Sequence, residues 1–191
     1  MTTRVVIAED EAIIRLDLKE MLEEEGYDVV AETGRGDEVV GLVREHAPDL
    51  AILDIKMPGL DGLSAAREIS EDKSAAVLIL TAFSQRHLIE RARDAGALAY
   101  LVKPFQRNEL VPAIEVALGR FRDMQELDAD KQGLASQLET RKMVDRAKGM
   151  LMDGSSMSEN EAFSFIQRTA MSERETMSSV AQRVIEGSLT P

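Results

Sequence analysis

Cysteine is absent from all 191 residues. That excludes structural disulfides, thiol catalysis and Cys-ligated zinc or iron–sulfur centres. Long apolar runs are also missing. The longest, Ala75 to Phe83, has nine residues and includes Thr81, far below the roughly 18 that span a bilayer. No basic stretch followed by a long apolar segment lies between Met1 and Asp10, so no signal peptide and no membrane contact are expected, and a cytoplasmic location follows as the expectation. Positive charge is in deficit, with 23 Lys and Arg against 35 Asp and Glu and a net charge of −12. Taken alone, that excludes a general polyanion binder.

What is present is a folded composition, 44% apolar and 30% charged, at a length that suits one large domain or a standard domain plus a small one. The charge is uneven. Residues 1–112 hold 22 acids and 13 bases (net −9), residues 113–191 hold 13 and 10 (net −3). In the first part, short aliphatic runs recur at Val5–Ala8, Tyr27–Ala31, Leu50–Leu53, Val77–Leu80 and Leu98–Val102. Continuous runs of this length suit strands buried on both faces. Helical patterns separate them: Ile13, Leu16, Leu18, Met21 and Leu22; Val39, Val40, Leu42 and Val43; Leu63, Ala66 and Ile69; Leu88, Ile89 and Ala92. Five strands alternating with helices predict a parallel, doubly wound α/β sheet.

After Pro104 the only proline before Pro191 is Pro112, and strand patterns cease. Pro112 fits the first turn of a helix beginning near Asn108. Ile114, Ala117 and Phe121 start an apolar stripe that Met124, Leu127, Leu134 and Leu138 continue, with Lys131 in a seam position. This imperfect heptad over 113–138 suits equally a helical linker with a possible coiled-coil seam and an amphipathic helix on its own sheet domain. The long helix runs on through Val144, Ala147 and Leu151 and stops near Asp153-Gly154-Ser155-Ser156. A second helix begins at the capping-box pattern Ser158-Glu159-Asn160-Glu161 with Ala162, Phe163, Ile166 and Ala170, and a third starts near Thr176 with Val180, Val184 and Ile185. The result is a small three-helix all-α module in which Phe163 is the expected core aromatic and Phe165 points elsewhere.

Three acids follow neighbouring strands: Glu9 and Asp10 after the first, Asp54 after the third. Thr81 follows the fourth and Lys103 the fifth. Ligands of open α/β sheets bind outside these carboxyl ends. Gathered carboxylates call for a hard cation, and oxygen donors with retained water fit Mg²⁺. With one ammonium and one hydroxyl, the set suits phosphoryl transfer to a carboxylate. Any one of these residues alone is more often a cap or a solvated loop residue; their joint occurrence at successive strand ends carries the argument.

Ile7-Ala8-Glu9-Asp10-Glu11, Leu53-Asp54-Ile55-Lys56-Met57-Pro58-Gly59-Leu60-Asp61-Gly62, Leu80-Thr81-Ala82 and Tyr100-Leu101-Val102-Lys103-Pro104-Phe105 resemble the four signatures of a response-regulator receiver domain over residues 3–120. The resemblance implies a flavodoxin-like fold and Asp54 as the acceptor of a phosphoryl group from a sensor histidine kinase. It also implies Mg²⁺ held by Asp10, by Asp54, by Glu9 through water and by the Lys56 backbone carbonyl. Lys103 would pair with acceptor or phosphoryl oxygen, Thr81 would bond the phosphoryl group, Tyr100 would switch inward, and Lys103–Pro104 would be cis. Glu9 stands where this family usually has Asp. His46 and His87 read as surface residues.

Ala147-Lys148-Gly149, Glu161-Ala162-Phe163, Ile166-Gln167-Arg168-Thr169-Ala170-Met171 and Val180-Ala181 resemble the ANTAR module of transcription antitermination regulators, over residues 135–187. That resemblance implies an RNA-binding output that holds paired hairpins as a homodimer once phosphorylated. Its basic and small positions are Arg141, Lys142, Ala147, Lys148, Gly149, Arg168 and Arg174, with Gly149 letting RNA or a packed helix approach. Residues 134–191 nevertheless carry seven bases and eight acids, which keeps a protein-interaction adaptor open as the alternative. A DNA-binding output is poorly served, since the last helix offers only Gln182 and Arg183 to read bases. With no nucleophile triad and no His-rich metal site, an enzyme is not expected beyond self-phosphorylation and dephosphorylation at Asp54.

Overall fold

The computed structural model describes residues 2–82 and 86–190; Phe83, with which the longest apolar run ends, lies outside them. Two compact units divide at residues 125 and 126. In the first, β1 (Arg4–Ala8), α1 (Ala12–Glu24), β2 (Asp28–Thr33), α2 (Gly36–His46), β3 (Leu50–Asp54), α3 (Gly62–Glu71), β4 (Ala76–Thr81), α4 (Arg86–Asp94) and β5 (Ala99–Val102) alternate. The strands form one parallel sheet in the order β2-β1-β3-β4-β5. β1 and β3 thus lie side by side at the point where the strand order reverses, which brings the loops after them together.

Period two splits the central strands between two cores. Val6, Ala8, Ala51, Leu53, Val77 and Ile79 pack with Val39 and Val43 of α2 and with Leu63, Ala66 and Ile69 of α3. Val5, Ile7, Leu50, Ile52, Leu78 and Leu80 pack with Leu18 and Leu22 of α1 and with Leu110, Ile114, Ala117 and Phe121 of the helix that follows β5. β3 and β4 are buried throughout, the burial that their unbroken apolar runs anticipate.

Two helices correct the expected pattern. In α1 the core stripe is Leu18 and Leu22, flanked by Ile14 and Met21, whereas Ile13 and Leu16 are exposed; three- and four-residue steps back from Leu18 land on Ile14 and Arg15 rather than on them. In α4 only Ala92 is buried, and Ile89 is exposed.

α5 (Arg107–Ser155) is a single 49-residue helix. Pro112 is its sixth residue, past the first turn, so its missing N–H leaves the Asn108 carbonyl without the usual helical partner. Phe121 is buried and Met124 partly buried in the core of the first unit, while Leu127, Leu134 and Leu138 are exposed. With Met124 assigned to that core, the two successive three-residue steps from Phe121 to Met124 and from Met124 to Leu127 no longer interrupt the seam. Leu127, Lys131, Leu134 and Leu138 are left at 4-3-4 spacing, a regular heptad seam with one polar position.

In the second unit, Val144, Ala147 and Leu151 of α5 pack with Ala162, Ile166 and Ala170 of α6 (Glu159–Glu173) and with Val180, Ala181 and Val184 of α7 (Met177–Ile185). The capping box is present: Ser158 N–H donates to Glu161 Oε2 at 2.8 Å and Glu161 N–H to Ser158 Oγ at 3.4 Å. Thr176 caps α7 by accepting from the Ser179 N–H at 3.2 Å. The two phenylalanines exchange the expected roles. Phe165 packs against the core and Phe163 is 41% exposed. The stripe Ala162–Ile166–Ala170 extends toward Phe165 and Thr169, which are half-buried, and not toward Phe163 and Gln167.

Candidate functional site

Four of the five strand ends deliver groups to a common pocket. Asp54 is the last residue of β3 and Thr81 the last of β4, Glu9 and Asp10 directly follow β1, and Lys103 directly follows β5. Glu9, Asp54 and Thr81 are buried; Asp10 is exposed at the mouth. Lys103 Nζ lies 2.5 Å from Glu9 Oε2 and 3.0 Å from Asp54 Oδ1. The Lys56 N–H donates to Asp54 Oδ2 at 3.1 Å, so both oxygens of the Asp54 carboxylate are engaged. The Lys103–Pro104 bond is cis, and the Lys103 N–H donates to the Thr81 carbonyl at 2.7 Å, fixing the root of the lysine to β4.

The electrostatics follow from burial. Desolvation pushes the Glu9 carboxyl above its ordinary range, and the neighbouring Asp54 charge adds to this, although Lys103 opposes both. Burial pulls the Lys103 ammonium down, but the two carboxylates outweigh it and the net shift is upward. Burial likewise raises the Tyr100 hydroxyl, against a hydrogen bond with Thr81. Tyr100 is half-buried against the sheet core.

A hard cation fits this donor set. One carboxylate oxygen from each of Glu9, Asp10 and Asp54 lies within 4.8 Å of the others. Glu9 Oε2 is buried and has no partner of good hydrogen-bond geometry, its charge being met only by the close Lys103 ammonium. A carboxylate oxygen accepts more than one hydrogen bond, so Glu9 can meet a metal-bound water beside Lys103, and all-oxygen donors with room for water suit Mg²⁺.

Three further residues shape the pocket without having stood out as chemistry. Arg15 donates to the Glu9 carbonyl at 2.6 Å and pairs with Glu32 at 3.9 Å, pinning the β1 end from α1. Asp61 caps α3 by accepting from the Leu63 and Ser64 N–H groups. Gly62 must be glycine: a Cβ there would meet the Asp54 carbonyl oxygen at 1.8 Å. Its place in the motif Pro58–Gly62 was the available signal for this close approach. His87 is exposed, while His46 in the last turn of α2 is half-buried.

In the second unit several of the basic positions are engaged by groups of the same unit. The Arg141 side chain is 84% exposed, with a loose 4.0 Å contact to Asp145. Lys142 pairs with Glu139 at 2.8 Å. Lys148 is only 15% exposed, held at 2.8 Å by both Asp145 and Glu159. Arg168 donates to the Ser164 carbonyl in its own helix, and Arg174 is the left-handed residue that ends α6, at φ 58°. Ala147 is fully buried in the three-helix core, so its small side chain serves packing rather than an RNA face. Gly149 is half-buried with open space where a Cβ would stand, so no neighbouring helix of this chain requires glycine there.

Comparison with known proteins places both units. The response regulator receiver domain family matches residues 5–115, and the ANTAR domain family matches residues 132–185. The transcriptional regulatory protein PdtaR of Mycobacterium tuberculosis is 56% identical over 188 residues, covering 98% of this chain and 92% of that protein. The chemotaxis protein CheY of Bacillus subtilis is 38% identical over 119 residues, 62% of this chain and 99% of that protein. Among solved structures, the signal receiver domain of the response regulator NarL from Mycobacterium tuberculosis superposes with a TM-score of 0.59 at 29% identity, over 62% of this chain and 97% of that one. No helix among the described residues is long and apolar enough to cross a membrane. The chain belongs to the two-component response regulators, with a receiver domain followed by an ANTAR output domain.

Proposed function

We propose that the protein is a phosphorylation-controlled, RNA-binding transcription antiterminator. The observation that carries this reading is the acceptor pocket, Asp54 Oδ1 at 3.0 Å from Lys103 Nζ beside a triad of carboxylates, on one chain with an ANTAR domain. Asp54 Oδ attacks the phosphorus of a phosphohistidine on the sensor kinase; the P–N bond breaks and the imidazole leaves. Glu9 through water, Asp10, Asp54 and the Lys56 carbonyl would hold Mg²⁺, whose charge would offset that of the transferring oxygens. Lys103 follows the charge from the carboxylate to the phosphoryl oxygen. Thr81 then bonds the phosphoryl group, and Tyr100, already linked to the Thr81 hydroxyl, turns further inward. The only chemistry is formation and hydrolysis of this acyl phosphate.

The exposed Leu127, Leu134 and Leu138 supply a seam for a second copy, and the dimer presents two ANTAR units to paired RNA hairpins in the cytoplasm. Arg141, with its side chain 84% exposed, is placed for phosphate contact. The test is a gel shift with tandem stem-loops, a single stem-loop and duplex DNA, before and after treatment with a phosphodonor and Mg²⁺. Preference for the tandem RNA, strengthened by phosphorylation, is expected; preference for DNA, or no binding, overturns the reading. One observation favours a second reading, a protein adaptor: Lys142, Lys148 and Arg183 are all engaged by acids of the same unit.

A further inference from the structure

Phe163 is the aromatic that the fold leaves outside. The ANTAR unit has two aromatic side chains, Phe163 and Phe165; one packs against the core and the other keeps 41% of its surface exposed. Phe163 is not isolated on a convex face. It lines a groove of about 460 Å³ whose apolar floor includes Val144 and Met177 and whose α5 rim carries Gln137, Thr140 and Arg141. Grooves of roughly 300–1,000 Å³ with an apolar floor and a few convergent polar groups are where small planar ligands bind.

We propose that this groove takes one unstacked nucleobase of an RNA loop, stacked on the Phe163 ring. The proposal rests on the RNA-binding reading above and names the site that does the base recognition. Phe163 supplies the ring face, and stacking of splayed loop bases on aromatic side chains is the usual means of reading single-stranded RNA. Gln137 carries a donor and an acceptor in one amide, and Thr140 adds a hydroxyl; together they can satisfy a base edge. Arg141 stands at the rim with an exposed side chain and no close ion pair, placed for the phosphate that follows the base. Lys148 also borders the groove, but Asp145 and Glu159 already hold its ammonium, so Arg141 is the cation assigned. The rim favours RNA over an apolar helix or a second copy of the chain: an apolar partner would bury Gln137, Thr140 and Arg141 without answering their polar groups.

The experiment uses the full chain, phosphorylated and unphosphorylated. Its probe is an RNA of two short stem-loops, selected from a pool with randomised loop bases and then remade with abasic nucleotides at single loop positions. Phe163→Leu is expected to weaken binding roughly 5- to 150-fold, the span of base–aromatic stacking truncations. That loss should vanish against an RNA abasic at one loop position. Phe163→Tyr, which keeps the ring, should bind within about threefold of the parent and so separates stacking from misfolding. Arg141→Ala should weaken all RNAs alike and flatten the salt dependence by about one counterion. Equal affinity of Phe163→Leu and parent overturns the proposal. So does a loss that is the same for intact and abasic loops. A changed oligomer mass in Phe163→Leu with unchanged RNA affinity assigns the groove to a second copy and also overturns it. A parent that binds no RNA of the pool overturns the antiterminator reading itself, a result distinct from any of the variant outcomes.

Discussion

Lys103 and Lys148 each lie between two acids, and the comparison separates the two halves of the molecule. Lys103 meets Glu9 and Asp54, whose side chains are 0% and 8% exposed. Lys148 meets Asp145 and Glu159, whose side chains are 55% and 69% exposed. In the receiver, water cannot answer the carboxylates, so the ammonium or an incoming cation must do so, and changing one member changes all. In the ANTAR unit, water answers every partner, and the lysine is a tie between the end of α5 and the start of α6. The same three charges make a reactive site in one place and a surface clasp in the other.

That contrast can be broken experimentally. The largest effect is expected from Asp54→Asn, which should abolish phosphoryl uptake from a phosphodonor with Mg²⁺, read by intact-mass spectrometry; persistent uptake would place the acceptor elsewhere. Lys103→Met should follow. Leaving Glu9 and Asp54 buried without their cation should cost about 3–5 kcal/mol of stability in metal-free buffer, measured by urea unfolding, with part recovered on adding Mg²⁺. Gly62→Ala should cost about 1–3 kcal/mol through overpacking against the Asp54 carbonyl, together with slower phosphorylation because the acceptor loop must shift.

Glu9→Gln has a sign that depends on pH. The folded protein raises the Glu9 carboxyl above its unfolded value, so ionised Glu9 costs stability above that raised pKa, and the cost fades as pH falls through it. In EDTA the variant should therefore unfold at a higher temperature than the parent near neutral pH, with the difference closing in acid; added Mg²⁺ should stabilise the parent more. The smallest effect belongs to the surface clasp. Lys148→Met should leave the thermal midpoint nearly unchanged, and a collapse of the ANTAR unit would refute the contrast.

The sheet and its pocket were legible because both depend on short-range patterns. Five apolar runs flanked by acids, Thr and Lys leave one arrangement in which those residues converge, and Glu9, Asp10, Asp54, Thr81 and Lys103 do converge. Helical faces were less legible, because a step of one residue turns a side chain by about 100°. Ile13, Leu16 and Phe163 are apolar enough for a core, but the stripes Leu18–Leu22 and Ala162–Ile166–Ala170 pass beside them. Met124 has the spacing of a seam residue but packs against the receiver core, which its residue type does not distinguish. Arg15 acts through the backbone carbonyl of Glu9, a contact that leaves no trace in residue type, whereas the close approach to the Asp54 carbonyl is marked only by the glycine at position 62. The pairing of Lys142 and Lys148 with local acids, which thins the apparent basic cluster, depends on rotamers and on the α5–α6 turn.

The central claim is that the buried receiver pocket sets the affinity of the ANTAR unit for RNA. Its most direct test is the dissociation constant of one tandem stem-loop RNA for the parent and for Asp54→Asn, each with and without a phosphodonor in Mg²⁺. Tighter binding by the parent on phosphorylation is expected, with no response from Asp54→Asn, which should stay at the parent's unphosphorylated value. An equal response from both proteins, or none from a parent shown to be phosphorylated, would contradict it.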